Sequence, residues 1–167
     1  MNAGTLIAAG LLALTSVQPS QPTWLKAASR VSITATLEPE RPGDARAYAL
    51  LLEVTPQPGV HVYAPGNPSY SDPDVQLDLP AGVRRAGPPA FPDAVPLVFG
   101  ESKEIVQVYA STFRVRQRLT LDRGQRRNAA VRVAGTLDYQ ACTSKICFPP
   151  QSEPFEVTLP ASPPSPR

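Results

Sequence analysis

The chain has 167 residues, of which 21 are proline and two are cysteine. This length favours one domain with its own hydrophobic core, and two cysteines are too few for a disulfide framework. Proline at about 13%, against a usual share of roughly 5%, excludes a helical bundle, because each internal proline removes a backbone donor. A net charge of +2 is too small for a nucleic-acid-binding surface. We therefore expect no nucleic-acid partner.

The N-terminus carries an apolar run, Thr5–Leu14, that is too short to span a bilayer comfortably. The run is typical of a secretory signal peptide, although no Lys or Arg precedes it and the residues after it fit a cleavage site only loosely. A wrongly assigned start and a buried apolar segment are the alternatives. We expect a signal peptide over residues 1–22 and a linker over 23–30. The mature chain should then have no membrane span and a periplasmic or secreted location.

Residues 31–160 alternate apolar and polar side chains in short runs that end at proline and glycine turns about every 8–12 residues. This pattern predicts an all-β fold, an immunoglobulin-like antiparallel β-sandwich of about eight or nine strands. Residues 84–100 contain four prolines and are expected to form a long irregular loop, a kind of segment that is often functional. Residues 161–167 are expected to be a disordered proline-serine tail.

The two cysteines, Cys142 and Cys147, lie close together between the last two predicted strands. A disulfide here would close a six-residue loop and stabilise the fold by only about 2 kcal/mol, less than a bridge between sheets. Lys145, which lies between them, would favour a thiolate. Two interpretations stay open: an ordinary structural hairpin disulfide, and a reversible redox-active pair. No metal site is expected, because two thiolates need further ligands and His61 is the only histidine.

The segment Tyr139–Pro150, with the sequence YQACTSKICFPP, resembles the cysteine segment of a known family. This family is the N-terminal periplasmic domain of the thiol:disulfide interchange protein DsbD, also called the disulfide bond corrector domain. Weaker matches follow the family's order at Gly59–Pro65, Leu79–Val83 and Phe99–Ser102. The resemblance covers roughly residues 31–160, although some relatives have five residues between the cysteines where this chain has four.

The resemblance implies an immunoglobulin-like sandwich whose cysteine pair carries reducing equivalents as a dithiol, without a cofactor. Electrons would come from a thioredoxin-like donor domain or a membrane reductase. They would pass to a periplasmic disulfide isomerase or to a thiol protein of cytochrome c maturation. The resemblance further implies that Cys147 joins the partner in the mixed disulfide and that Cys142 resolves it. The family's full reductase continues into membrane helices and a thioredoxin-like domain, whereas this sequence stops at Arg167. We therefore expect either that a separate protein supplies electrons to this chain or that the chain no longer carries them.

The resemblance also implies a cap loop that covers the cysteines when no partner is bound. The matching segment is Pro96-Leu97-Val98-Phe99-Gly100, whose apolar side chains are expected to rest against both cysteines and Phe148. The cap position that is often aromatic in the family is Val98 here, with Phe99 beside it. Filling one end of the sandwich is the alternative role for these residues.

Further residues are candidates for the wall of the site. His61 and Tyr63 share one face of a predicted strand, and His61 is either an aid to proton transfer or an ordinary surface histidine. Tyr139 either lines the site or packs in the core. A stripe of arginines at positions 114, 116 and 118 either steers an acidic partner or forms a solvated sheet face. The rival function is a non-enzymatic exported binding or interaction module with a purely structural disulfide.

Overall fold

A computed structural model of the chain describes residues 28–44, 46–99, 103–122, 130–159 and 161. The predicted signal peptide, most of the predicted linker and tail, and Gly100 of the predicted cap segment therefore lie outside the described residues. Within the described ranges the regular structure is entirely β-strand. A search of these residues finds no helix with the length and apolar character needed to cross a membrane.

The described residues form eleven strands that pair antiparallel in three sheets. The strands are β1 (Val31–Pro39), β2 (Ala47–Pro56), β3 (His61–Tyr63), β4 (Asp74–Asp78), β5 (Val83–Arg85), β6 (Val95–Phe99), β7 (Glu104–Tyr109), β8 (Phe113–Leu121), β9 (Val131–Tyr139), β10 (Ala141–Cys142) and β11 (Gln151–Leu159). The strand orders are β1-β2-β8-β5, β10-β3-β7-β6 and β11-β9-β4. The second of these, which holds both β10 and β6, is called the cysteine sheet below. This all-β architecture confirms the predicted fold class.

The alternation of the sequence decides which side chains face the core. In β8 every second residue from Phe113 to Leu121 is buried, and the arginines between them are exposed. β2 pairs with β8 along most of its length and contributes Leu50, Leu52 and Val54 to the same core. Period-two alternation of this kind is what one buried sheet face requires.

Apolar side chains gather in two clusters. The larger one, called the main core below, lies between the sheets and includes Leu52, Val115 and Leu137, all fully buried. The smaller one, the cysteine cluster, consists of Tyr63, Val106, Val108 and Cys142, with Tyr70, Leu97 and Phe99 packed against it. The cysteine sheet therefore carries its own small core, and one of the two cysteines belongs to it.

The segment 84–100 is more ordered than its prolines predict. β5 extends to Arg85, Ala90 forms a single bridge with Arg116, and β6 pairs in full with β7. β6 is the edge strand of its sheet, and an edge strand tolerates Pro96 because only one side of its backbone needs donors. The prediction of a long irregular loop is therefore wrong at β6. This strand and the very short β5 and β10 raise the strand count above the expected eight or nine.

Candidate functional site

The two cysteines form a disulfide in which the two residues differ sharply in exposure. Cys142, in β10, is fully buried in the cysteine cluster, whereas Cys147 lies in the following loop and is exposed. Because a disulfide is broken by in-line attack on one of its sulfurs, the exposed residue is the one that an incoming thiolate can reach. Cys142, by contrast, is held inside the protein.

The loop between the cysteines is held by backbone hydrogen bonds as well as by the disulfide. Thr143 N–H donates to the Ile146 carbonyl over 2.8 Å, and Phe148 N–H donates to the Ala141 carbonyl over 2.8 Å. The Thr143 hydroxyl accepts from the N–H groups of Lys145 and Ile146, each at 3.2 Å. These bonds continue β10 into a small β-bridge between the cysteines themselves, so the loop conformation does not depend on the S–S bond alone.

The hydroxyl of Tyr63 contacts both sulfurs. It lies 3.0 Å from the Sγ of Cys142 and 3.3 Å from the Sγ of Cys147, and it is the donor because neither sulfur of a disulfide carries hydrogen. Tyr63 is fully buried. Burial first, and then the neighbouring Tyr70 and the charge of Glu104, raise the pKa of Tyr63 well above its ordinary value. The phenol therefore stays protonated and available as a donor at neutral pH.

Three residues near Tyr63 were not predicted from the sequence: Tyr70, Glu104 and Asn67. The ring of Tyr70 stacks on the ring of Tyr63 with centroids 3.8 Å apart, and the Tyr70 hydroxyl donates to the Glu104 carboxylate over 3.2 Å. Asn67 fixes the preceding loop, because its side chain accepts from Gln107 N–H and donates to the Gln107 carbonyl. No local sequence pattern predicts these contacts, because they join residues 34 and 40 positions apart.

His61 lies directly across the strand pair from Cys142, in register, and on the same face as Tyr63. Its ring makes edge contacts with Tyr63 and Phe99, each with centroids 6.4 Å apart. Only 7% of the residue is exposed, so the alternative of a surface histidine is excluded. Its Nε2 atom has no hydrogen-bond partner among the described residues, and burial lowers the pKa of His61 below its ordinary value. The imidazole is therefore neutral at neutral pH.

The predicted cap segment lies beside the cysteine cluster, but its successive side chains alternate between packing on the cluster and facing away from it. Leu97 and Phe99 pack on the cluster, whereas Val98 is 62% exposed. This overturns the expectation that Val98 rests on the cysteines. The reason is that the segment is a β-strand whose successive side chains point to opposite faces. Pro96 shares the outward face with Val98 and is exposed. A cavity of about 330 Å³, lined in part by His61, Phe99 and Ser144, separates the strand from the cysteine loop.

Three other predicted site residues lie outside the cysteine cluster. Tyr139 is in the main core, where its hydroxyl accepts from Arg30 N–H and donates to Gln151, each at 3.0 Å. Phe148 packs against the main core, and the Arg30 guanidinium lies 4.0 Å from its ring centroid. Lys145 is exposed, at the tip of the cysteine loop. The structure thus brings His61 and Tyr63 to Cys142 and places Tyr139 and Phe148 in a different cluster.

The arginine stripe on β8 is paired with acidic side chains. Arg114 binds Glu53 at 2.8 Å, and Arg116 binds Glu40 at 2.9 Å. Arg118 approaches the same Glu40 at 3.7 Å. These ion pairs are largely exposed and neutralise much of the stripe, which favours the solvated sheet face over a surface that steers an acidic partner.

The chemistry available at the site is that of sulfur. Among the described residues, no group of three or more His, Cys, Asp or Glu side chains is arranged to hold a metal ion. A disulfide with one exposed sulfur, one buried sulfur and a shared hydroxyl donor has the parts that thiol–disulfide exchange requires. The fold and the site together define an all-β sandwich with a short-range disulfide at the end of a strand. One cysteine of this disulfide is exposed and the other is buried.

Comparison with known proteins places this sandwich in a family. Residues 28–159 match the family model described as "Thiol:disulfide interchange protein DsbD, N-terminal", and the chain belongs to this family. The N-terminal periplasmic domain of ScsB from Proteus mirabilis is similar in structure, with a TM-score of 0.52 and 15% sequence identity. The match covers 80% of this chain and 47% of that one, and at this identity it shows a shared fold. No curated protein matches the chain.

Proposed function

We propose that this chain is an exported thiol–disulfide interchange module. It passes reducing equivalents through Cys142 and Cys147 from a thioredoxin-like donor domain or membrane reductase to exported disulfide proteins. Family membership supports the reaction class. The observation that carries the proposal is the asymmetry of the pair, with Cys147 exposed, Cys142 fully buried and the Tyr63 hydroxyl on both sulfurs.

In the reducing half of the cycle, a donor thiolate attacks the Cys147 Sγ and forms a mixed disulfide. The Cys142–Cys147 bond breaks, and Cys142 leaves as a thiolate that accepts a hydrogen bond from Tyr63. The second donor thiolate then attacks the donor sulfur of the mixed disulfide and releases Cys147. The donor is thereby oxidised to its disulfide, and the module is reduced by two electrons.

In the delivering half, the Cys147 thiolate attacks one sulfur of an acceptor disulfide and expels the other sulfur as a thiolate. Cys142 then attacks the Cys147 Sγ, which restores the internal disulfide and releases the reduced acceptor. The acceptors that fit the family are a periplasmic disulfide isomerase and a thiol protein of cytochrome c maturation. No step needs a cofactor. Export is supported by the apolar run Thr5–Leu14 and by the periplasmic location of the ScsB domain.

A redox titration tests the proposal against a purely structural disulfide. A redox-active pair has a midpoint potential above about −300 mV, whereas a purely structural disulfide has a midpoint potential below that value. Trapping then tests the two roles: Cys142→Ser leaves the exposed thiol and should hold a thioredoxin-like partner as a stable mixed disulfide. The matched variant Cys147→Ser leaves the buried thiol and should trap far less. A potential below that limit, together with no trapping by either variant, would reject the interchange function.

A further inference from the structure

The last step of the proposed delivering half, attack of Cys142 on Cys147, requires the two sulfurs to stay close when no S–S bond joins them. Cys142 is fixed by β10 and by the cysteine cluster, whereas Cys147 lies in the loop that follows and is exposed. Intramolecular reactions are fast when the reacting atoms are held near their bonding distance. Hydrogen bonds beside Cys147 must therefore keep its sulfur within reach of Cys142 once the pair is reduced.

Phe148, the residue directly after Cys147, is bound at both of its backbone groups. Its N–H donates to the Ala141 carbonyl over 2.8 Å, and its carbonyl accepts from the side-chain Nε2 of Gln140 over 3.1 Å. Gln140 and Ala141 directly precede Cys142 in the chain. The segment that leaves Cys147 is therefore tied twice to the segment that enters Cys142, once by a backbone group and once by a side chain.

The Gln140 side chain is itself held by a second segment. Its Oε1 accepts from the backbone N–H of Ser71 over 2.9 Å, which leaves the Nε2 end of the amide to bind Phe148. Ser71 belongs to a loop that is anchored on β7, because Asn67 exchanges two hydrogen bonds with the backbone of Gln107. The amide of Gln140 therefore connects the cysteine loop to an anchored neighbour.

We propose that Gln140 is a positioning residue that keeps Cys147 beside Cys142 in the reduced protein and in the mixed disulfide. This proposal rests on the proposed function, because it assigns Gln140 to the closing of the bond between the two cysteines. Gln140 acts through the backbone of Phe148. Its effect is therefore on the distance between the sulfurs rather than on the ionisation of either one.

Two other contacts hold the same loop and are the rival explanations. The Thr143 hydroxyl accepts from the N–H groups of Lys145 and Ile146, and all three residues precede Cys147. The Arg30 guanidinium lies 4.0 Å from the ring centroid of Phe148, so it contacts the ring and not the backbone. Gln140 is favoured over both because it binds the main chain immediately after Cys147.

The test uses the reduced chain and one equivalent of 5,5′-dithiobis(2-nitrobenzoate). The Cys147 thiolate attacks one sulfur of the reagent and releases the first thionitrobenzoate. The Cys142 thiolate then attacks the Cys147 Sγ, which forms the internal disulfide and releases the second thionitrobenzoate with the electron pair of the broken bond. The cysteine pair is oxidised by two electrons, the reagent is reduced, and the two thiol protons pass to the buffer. Stopped-flow absorbance separates the two releases.

Two variants separate the two ends of the amide. Gln140→Met keeps the length of the side chain and removes both hydrogen bonds, whereas Gln140→Glu keeps an acceptor for Ser71 and removes the donor to Phe148. Both should slow the second release about fivefold to tenfold, which is the effect of one lost hydrogen bond. Gln140→Met should leave the first release unchanged, because Cys147 is already exposed. Since the reduced pair is then held less closely, the disulfide becomes easier to reduce, and the same factor raises its midpoint potential by about 20–30 mV.

Gln76→Met is the matched control, because it removes an exposed glutamine bond to Asp74 within β4. Neither Gln140 variant removes the backbone bond from Tyr63 N–H to the Gln140 carbonyl, and far-ultraviolet circular dichroism checks that the oxidised variants keep the β fold. Release rates and a potential equal to those of the control would overturn the proposal, as would equal slowing of both releases by Gln140→Met. Slowing of the second release by Arg30→Met and not by Gln140→Met would also overturn it.

Loss of the β signal in both Gln140 variants would make Gln140 a residue of the fold, and the positioning role would then be wrong. Failure of the proposed function gives a different result. The unmodified chain would then have a midpoint potential below about −300 mV, and Cys142→Ser would trap no partner. Gln140→Met would still slow the second release, because closure of the pair by this reagent does not depend on a partner.

Discussion

The Tyr63 hydroxyl lies 3.0 Å from the Sγ of Cys142, although 79 positions separate the two residues. In the disulfide this hydroxyl is the hydrogen-bond donor, because a disulfide sulfur carries no proton. In the reduced pair the same donor can serve a thiolate, and a charge-assisted hydrogen bond is stronger than a neutral one. The hydroxyl should therefore favour the ionised form of the reduced pair.

We predict that Tyr63→Phe weakens the acidity of the reduced pair. Loss of one hydrogen bond to a charged group is worth about 1.5–3 kcal/mol, so the ionisation constant should fall about tenfold or more. Thiolate absorbance in the ultraviolet, followed against pH, measures this directly. Tyr109→Phe is the control, since it removes a buried hydroxyl elsewhere. An unchanged titration curve would show that the contact with sulfur has no role in ionisation.

The second prediction concerns the alternation in β6. Leu97→Ala with Phe99→Ala should speed alkylation of Cys142 in the reduced protein, because both side chains pack on the cluster that buries it. Val98→Ala, whose side chain points outward, is the matched control and should leave the rate unchanged. Peptide mass spectrometry separates the two cysteines, and Cys147 should react fast in every variant because it is already exposed.

The same pair of substitutions should lower stability by only about 1–2 kcal/mol, because β6 is an edge strand and both side chains are half-buried. Urea unfolding provides the measurement. A loss of about 2–5 kcal/mol for each residue, as for a core leucine, would place the segment in the core. The idea of a displaceable cap would then be wrong.

Reduction should leave the sandwich folded. The cysteine loop keeps its backbone bonds from Thr143 and Phe148, and the disulfide closes too few residues to stabilise the fold by more than about 2 kcal/mol. Far-ultraviolet circular dichroism before and after adding a reductant tests this at room temperature. Loss of the β signal would favour the structural interpretation of the disulfide.

The fourth prediction uses the only histidine in the chain. Because burial lowers the pKa of His61, the unfolded chain binds a proton at a higher pH than the folded chain does. This contribution to stability is fully present above about pH 6.5 and is lost as the pH falls toward the lowered value. His61→Phe should therefore lose less unfolding free energy than the wild type between about pH 7.5 and about pH 5.5. Equal losses would show that the imidazole titrates normally.

Gly135 provides a prediction about the third sheet. It lies in β9 opposite Leu77 and Phe155, and a Cβ there would overlap the Gln76 carbonyl oxygen and lie 2.7 Å from the Phe155 ring. Gly135→Ala should cost about 1–3 kcal/mol through overpacking. Denaturant unfolding measures the cost, and a stability equal to that of the wild type would mean that the strands separate easily to admit the methyl group.

The sequence predicts those parts of the fold that depend on local patterns. The alternation of buried and exposed side chains in β8 follows directly from the apolar and polar pattern of Phe113 to Leu121. The cysteine segment carries a family motif. The orientation of Val98 depends on an edge strand that contains Pro96 and follows a proline-rich segment, so its sequence resembles a loop. The Tyr70–Glu104 contact depends on long-range closure across 34 positions, which no local pattern encodes. The parts of the site that were missed are thus the ones fixed by pairing between distant segments.

The bonds that hold the cysteine loop have a consequence for partner choice. Since Thr143 and Phe148 anchor the backbone independently of the S–S bond, the oxidised and reduced proteins should present nearly the same main-chain surface. A docking protein would then distinguish the two redox states by three local features: the position of the Cys147 sulfur, the charge of that sulfur and the direction of the Tyr63 hydroxyl. Affinities for the two states should accordingly be similar, and turnover would be driven by the supply of electrons rather than by tighter binding of one form.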